Sequence, residues 1–230
     1  MFAALFETYD LDCAALSDPT QTAENTDFDA VDAKTSLILT ASRLFAHSGI
    51  NGVSMRKIAE QAGQGNHFAV QYHFGSREGL VQAIFDYHME QMEPMRGDML
   101  KRVIENDLTS DAHSLLEIIM LPQLHVDGKD DASYGNFLSQ YLLRREWVEY
   151  GVFGHEAPPN LHQALTLLRK RVHYLPSNVA QRRLVGVSLM FLNLLVRRDQ
   201  RKEANEEAFN QALKDTMDQI VMAMCLPLRI

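Results

Sequence analysis

Residues 54–80 read Ser54-Met-Arg-Lys-Ile-Ala-Glu-Gln-Ala-Gly-Gln-Gly-Asn-His-Phe-Ala-Val-Gln-Tyr-His-Phe-Gly-Ser-Arg-Glu-Gly-Leu80. Ser54 is a good N-cap, because its hydroxyl can accept from a free backbone N–H of a first helical turn. Ile58, Ala59 and Ala62 then form one inner face at helical spacing. Gly63 supplies a tight turn where the backbone can become left-handed. A second short helix is predicted over Asn66–Tyr72. Ser76 and Glu78 suit the start of a third helix, one as cap and one as a negative charge at its positive end. Two short helices joined by a Gly turn are the layout that sets one helix into the major groove of DNA.

Neither short helix can bury much alone, so a preceding helix must complete the core. Leu37, Ile38, Ala41, Leu44 and Phe45 recur at helical spacing and predict a helix over Ala33–Ser48 that stops at Gly49. Leu37, Leu44 and Phe45 are expected to pack on Ile58, Val70 and Phe74. The second short helix then presents Asn66, His67 and Gln71. Asn and Gln can pair with the edge of adenine through two hydrogen bonds. Arg56, Lys57 and Arg77 are placed to meet phosphates, which give grip and register rather than sequence choice.

The formal charge of −8 over 230 residues runs against nucleic-acid binding until its distribution is read. Residues 1–33 hold eight acids and no Lys or Arg, which accounts for the whole of it. Residues 34–80 carry five bases against two acids, a local surplus of three positive charges. A locally positive face governs attraction to phosphate more than the sum over the chain does. Residues 1–32 are expected to be an acidic, disordered tail.

From residue 81 onward the pattern stays helical, without a period-2 strand run. One helix is expected to run from Ser76 to about Met92 and to be interrupted by Pro94. Further helices are expected at Met95–Glu105, Ala112–Leu124 with a kink at Pro122, Ser133–Tyr150, a stretch bearing Leu161, Leu165, Leu168 and Val172, Asn178–Arg198, and about 205–225. The longest apolar stretch, Leu184–Val196, is too short for a membrane span of about 20 residues. No basic, apolar leader opens the chain. Cys13 and Cys225 show no metal or disulfide spacing, which fits a reducing cytoplasm. The nine histidines show no ligand spacing, including His67 with His73 and His155 with His162. No catalytic motif is present, and no metal or cofactor is implied.

Three strings resemble the TetR family of bacterial transcriptional regulators: Ile38-Leu-Thr-Ala-Ser-Arg-Leu-Phe-Ala-His-Ser-Gly49, Val53-Ser-Met-Arg-Lys-Ile-Ala-Glu-Gln-Ala-Gly63 and Tyr72-His-Phe-Gly-Ser-Arg-Glu-Gly-Leu80. The resemblance implies an all-α homodimer with a three-helix helix-turn-helix DNA-binding domain at 33–80. It also implies a helical-bundle domain at 81–230 that binds a small-molecule effector and dimerises. On this reading the protein is a cytoplasmic repressor released from its operator by the effector. Carried over to this chain, Ser54, Arg56, Tyr72, His73 and Arg77 contact the DNA backbone. The chain departs from the family's pattern by one extra residue within Gln64–Phe68, and by Gln71 where a Tyr is usual.

Met and aromatic side chains in the second half suit a flexible, partly apolar pocket. His88, Met89, Met92, Met120, Phe137, Tyr141 and Trp147 are the candidate lining. Ile84, His88, Met89 and Met92 lie where the two domains would be coupled. The final two helices are apolar enough to pair with their copies in a four-helix dimer interface. The alternative of another class is an all-α carrier or enzyme whose N-terminal helices are only structural.

Overall fold

The computed structural model describes residues 28–127, 133–144, 157–200 and 206–228. Among these residues the chain is all-helical, without a strand. The helices are α1 (Phe28–Ser48), α2 (Met55–Gln61), α3 (Ala69–Phe74), α4 (Arg77–Glu105), α5 (Ala112–Met120), α6 (Pro122–Asp127), α7 (Ser133–Leu143), α8 (Pro159–Arg171), α9 (Ser177–Gln200) and α10 (Glu206–Cys225). A short 3-10 turn, Ile50–Gly52, links α1 to α2. Helix α1 begins five residues before the expected Ala33, so the last part of the expected tail is helical. No Gly or Pro separates Phe28 from Ala33, and acids at a helix N-terminus are favoured by the helix dipole. The expected acidic tail otherwise lies outside the described residues.

The head is built as the apolar spacing demands. Leu37, Ala41 and Phe45 of α1, Ile58 and Ala59 of α2, Val70 of α3, and Leu80, Val81 and Ile84 of α4 are all buried. Burying each large apolar side chain is worth about 1.5–3 kcal/mol. Leu44 and Phe74, expected in this core, are only half-buried. The chain leaves α1 through Gly49, whose φ of 73° suits glycine. A Cβ there would approach Arg144 Nη1 to 2.5 Å, so the arginine at the end of α7 closes over this turn.

Helix α4 corrects the expected break at Pro94, because it runs unbroken through that residue to Glu105. Proline removes one backbone donor and crowds the carbonyl four residues earlier. Here that carbonyl belongs to Glu90, and both Glu90 and Pro94 lie on the exposed side of α4, where water can satisfy it. The inner side stays fixed by Phe85, His88, Met92, Arg96 and Met99. The reverse holds at Pro122. The expected kink is a full break, with α5 ending at Met120 and Pro122 opening α6, where its missing N–H costs nothing. Asp111 caps α5, its Oδ2 accepting from Ser114 N at 2.9 Å and from Ser114 Oγ at 2.8 Å.

Helix α5 is buried along its length and lies against α4, α8 and α10. Helix α4 also packs on α6 and α8, while α9 packs on α7 and α10. Of the expected stripe, Leu161, Leu168 and Val172 are buried, with Ala164, while Leu165 is only half-buried. The end of α10 is held by Arg183, which donates to the carbonyls of Met224, at 3.1 Å, and Leu226. Tyr174 Oη donates to the carbonyl of Cys225. The expected helix Ser133–Tyr150 is seen as α7 to Leu143; the rest lies outside the described residues.

Candidate nucleic-acid interface

Helix α2 starts as expected, with Ser54 Oγ accepting from Lys57 N at 3.2 Å. Arg56 and Lys57 follow on its exposed side. Gly63 has φ 72°, and the turn it opens is tied to α1 by Ser36 Oγ, which donates to the Ala62 carbonyl at 3.3 Å.

Helix α3 differs from the expected Asn66–Tyr72. It starts at Ala69, and Asn66 and His67 stand in the turn before it. The cause is local. Asn66 Oδ1 accepts from Phe68 N at 2.9 Å, an Asx turn that competes with helix at that point. Both residues are nonetheless exposed. Helix α3 buries Ala69 and Val70, leaves His73 and Phe74 half-buried, and turns Phe68, Gln71 and Tyr72 to solvent. Phe68 is 74% and Tyr72 82% exposed, and residues four apart share a helix face. Phe68, the N-cap of α3, and Tyr72 within it expose apolar rings at the same end of the head. Gln71 Nε2 donates to the carbonyl of Gly75, which fixes the side chain along its own helix end. The His73 ring lies 5.0 Å from Tyr72 and 6.1 Å from Phe74.

Arg77 is placed differently from a free phosphate-binding arginine. Its Nη1 donates to the carbonyls of Ile50 at 2.5 Å and Val53 at 2.6 Å, so it clamps the turn between α1 and α2. Ser76 Oγ accepts from Gly79 N at 3.1 Å and caps α4. Its own backbone N–H, with the Ser76 hydroxyl, holds the Glu78 carboxyl below its ordinary range.

Of the seven expected ligand-lining residues, the six that are described do not share one space. His88 and Met92 face inward from α4, and Met120 is buried in α5. Met89 instead lines an outer cleft of about 620 Å³ with Asp86, Glu90, Glu93 and Pro94 of α4 and Pro158, Pro159 and Asn160 near the start of α8. Phe137 and Tyr141 join an aromatic cluster. Phe137 lies 6.2 Å from Phe45 of α1 and 5.4 Å from Phe85 of α4, and Tyr141 lies 4.9 Å from Phe85. Trp147 lies outside the described residues. Sequence reasoning missed two residues. Phe68 falls in the segment Gln64–Phe68 that carries the extra residue, where the family's pattern gives no guide. Arg96 continues the inner run of α4 at 88, 92 and 96, and a charge on an apolar stripe was its signal.

The same head gives the comparison with known proteins. Residues 37–84 match the family model of bacterial regulatory proteins, tetR family. The match covers this head alone, so the likeness to the TetR family rests on the N-terminal domain. In a helix-turn-helix unit of this kind the second short helix, here the exposed α3, is the one that enters the groove of a duplex. A crystal structure of a candidate TetR-family transcriptional regulator from Rhodococcus sp. is similar at 18% identity, over 83% of this chain and 99% of that one, with a TM-score of 0.42. No curated protein matches.

Proposed function

We propose that the protein is a ligand-responsive repressor, a cytoplasmic homodimer rather than an enzyme, released from a roughly palindromic operator by a small, partly apolar effector. The observation that carries the DNA-reading role is the face of α3, where Phe68, Gln71 and Tyr72 stand outward over a core closed by Val70. Arg56 and Lys57 supply the phosphate grip beside them, and Ser54, Asn66, His67, Tyr72 and His73 complete the reading surface. Arg77 serves that surface by holding the α1–α2 turn in place.

Helix α4 supports the effector-responsive part. It carries Leu80 and Ile84 of the head and His88 to Arg96 of the larger bundle on one unbroken rod. A displacement of that rod by an effector would move the head with it. On this reading 33–80 is the reading domain, 81–230 the sensing and dimerising one. Dimerisation is placed on α9 and α10. The helix Ser177–Arg197 is long and apolar enough to cross a membrane, yet it lies against α7 and α10, and Met222 on α10 is 71% exposed. A second copy would cover this surface in a four-helix bundle.

The test is selection of bound fragments from a genomic library, followed by gel shifts across salt. Recovery of a palindromic site, bound with an affinity that falls steeply with salt, is expected. Recovery of no preferred sequence would overturn the operator reading. A ligand that leaves every DNA complex intact, while stabilising the protein, would overturn the release mechanism.

A further inference from the structure

The inner stripe of α4 holds polar atoms without a hydrogen-bond partner among the described residues. His88 is fully buried and stacks on Tyr134 of α7 with ring centroids 4.0 Å apart, yet neither ring nitrogen has a hydrogen-bond partner among the described residues. Two turns along, Arg96 is 2% exposed. Its Nη2 reaches only the Met92 sulfur at 3.4 Å, and its Nε and Nη1 have no hydrogen-bond partner among the described residues. Glu93 forms an ion pair with Arg96, its Oε2 3.8 Å from Nη1, a separation too long for a hydrogen bond. One Glu93 oxygen accepts from Asn160 N at 2.6 Å, and the other is buried without a hydrogen-bond partner among the described residues.

A buried donor or acceptor left unsatisfied costs about 1–3 kcal/mol, more when charged. Such groups mark places where water, an ion or a ligand belongs. The inventory says which. Arg96 offers three unused N–H bonds and neutral His88 one, against two unused acceptors, on His88 and Glu93. The site therefore wants an acceptor-rich group, and a guanidinium fork fits a carboxylate best. Residues 88 and 96 are separated by about 12 Å of helix, and Met92 and Tyr134 supply apolar surface between them. His88 stays neutral near pH 7, since burial pushes it down to about 4, so it can serve a ligand as donor or acceptor.

We infer that Arg96 and His88 form the two ends of a binding site for a carboxylic acid with an apolar body, the carboxylate on Arg96 and the body along Met92 and Tyr134. This ligand class rests on the effector-responsive reading above. The site also has a path to the head. Tyr134 and Phe137 sit on α7 with ring centroids 6.4 Å apart, and Phe137 lies against Phe45 of α1.

The test uses the full chain and a panel of saturated fatty acids and phenylalkanoic acids, each beside its primary alcohol, read by calorimetry. At least one acid is expected to bind tenfold or more tightly than its alcohol. Arg96→Met should erase that ratio, and Arg96→Lys should restore part of it. Glu93→Gln should raise it severalfold by removing a nearby negative charge, an effect that a merely structural arginine would not produce. Because Arg96→Met can fail to fold, the Glu93→Gln variant provides an independent reading. Equal binding of acids and alcohols, or a ratio indifferent to both positions, would overturn the site. Acid binding that depends on Arg96 but leaves the operator complex intact would support the site and overturn the effector reading. Release by alcohols alone would keep the effector reading and overturn the acid class.

Discussion

His88 makes the stability of this protein depend on acid in a direction that can be worked out. Its imidazole is fully buried against Tyr134, and burial lowers its pKa from 6.5 to about 4. Above pH 6.5 the ring is neutral in both the folded and unfolded chain, so it contributes no pH dependence. Below that value the unfolded chain takes up a proton that the folded chain refuses until about pH 4. Stability is therefore lost as pH falls through this window, by up to about 3 kcal/mol at 1.4 kcal/mol per pH unit. The assay is urea unfolding of the wild type and of His88→Phe at matched concentration, at about pH 7 and about pH 4.5. Phenylalanine keeps the stack on Tyr134 and cannot titrate. Between these conditions the wild type should lose about 2.5 kcal/mol more than the variant. His113 on α5 works in the other direction. A hydrogen bond with Glu117 raises its pKa, so its contribution is present in acid and lost as pH rises past 6.5. The comparison of wild type with variant cancels that effect. Equal losses in the two proteins would refute the placement of a neutral His88 in the core.

Three further outcomes follow from the head. Arg77→Met should lower folding stability by about 2–4 kcal/mol in urea melts, because two carbonyls lose a charged donor; a loss of DNA affinity without a loss of stability would instead make Arg77 a phosphate contact. Gly49→Ala should cost about 1–3 kcal/mol in the same melts, since φ 73° with ψ 160° is glycine territory and Arg144 blocks the Cβ; a neutral substitution would mean that the turn relaxes freely. Phe68→Ala should weaken operator binding by about 1 kcal/mol, and changing operator thymines to uracil should weaken the wild type but not the variant, as expected if Phe68 touches a thymine methyl. Equal sensitivity of both proteins to uracil would remove that contact.

The elements with strong local signals were legible in the sequence. Ser54, Ser76 and Gly63 mark their helix ends by chemistry that needs no tertiary partner, and the stripe of α1 could only face one way. The differences arise where tertiary context decides. Pro94 looked like a stop, but its carbonyl partner faces water while the opposite side of α4 is buried, so the helix continues. Asn66 looked like a helical reading residue, but its side chain caps Phe68 and delays α3 to Ala69. Arg77 carried the right charge for phosphate, yet the fold spends it on two carbonyls that no local pattern reveals. The ligand candidates were chosen by type, and type does not distinguish Met89 on the outer cleft from Met92 on the inner stripe. Arg96 falls at the inner spacing of α4, but its burial depends on the packing of the bundle rather than on any local pattern.

Fluorescence anisotropy of a labelled operator, titrated across salt with the wild type and with Arg56→Ala/Lys57→Ala, tests the account most directly. A log–log slope of affinity against salt that is shallower in the double variant by about two, with similar loss on every sequence, is the predicted result. A slope unchanged by the substitutions, or no duplex binding by the intact protein at low salt, would contradict a head that grips DNA beside an outward-facing α3.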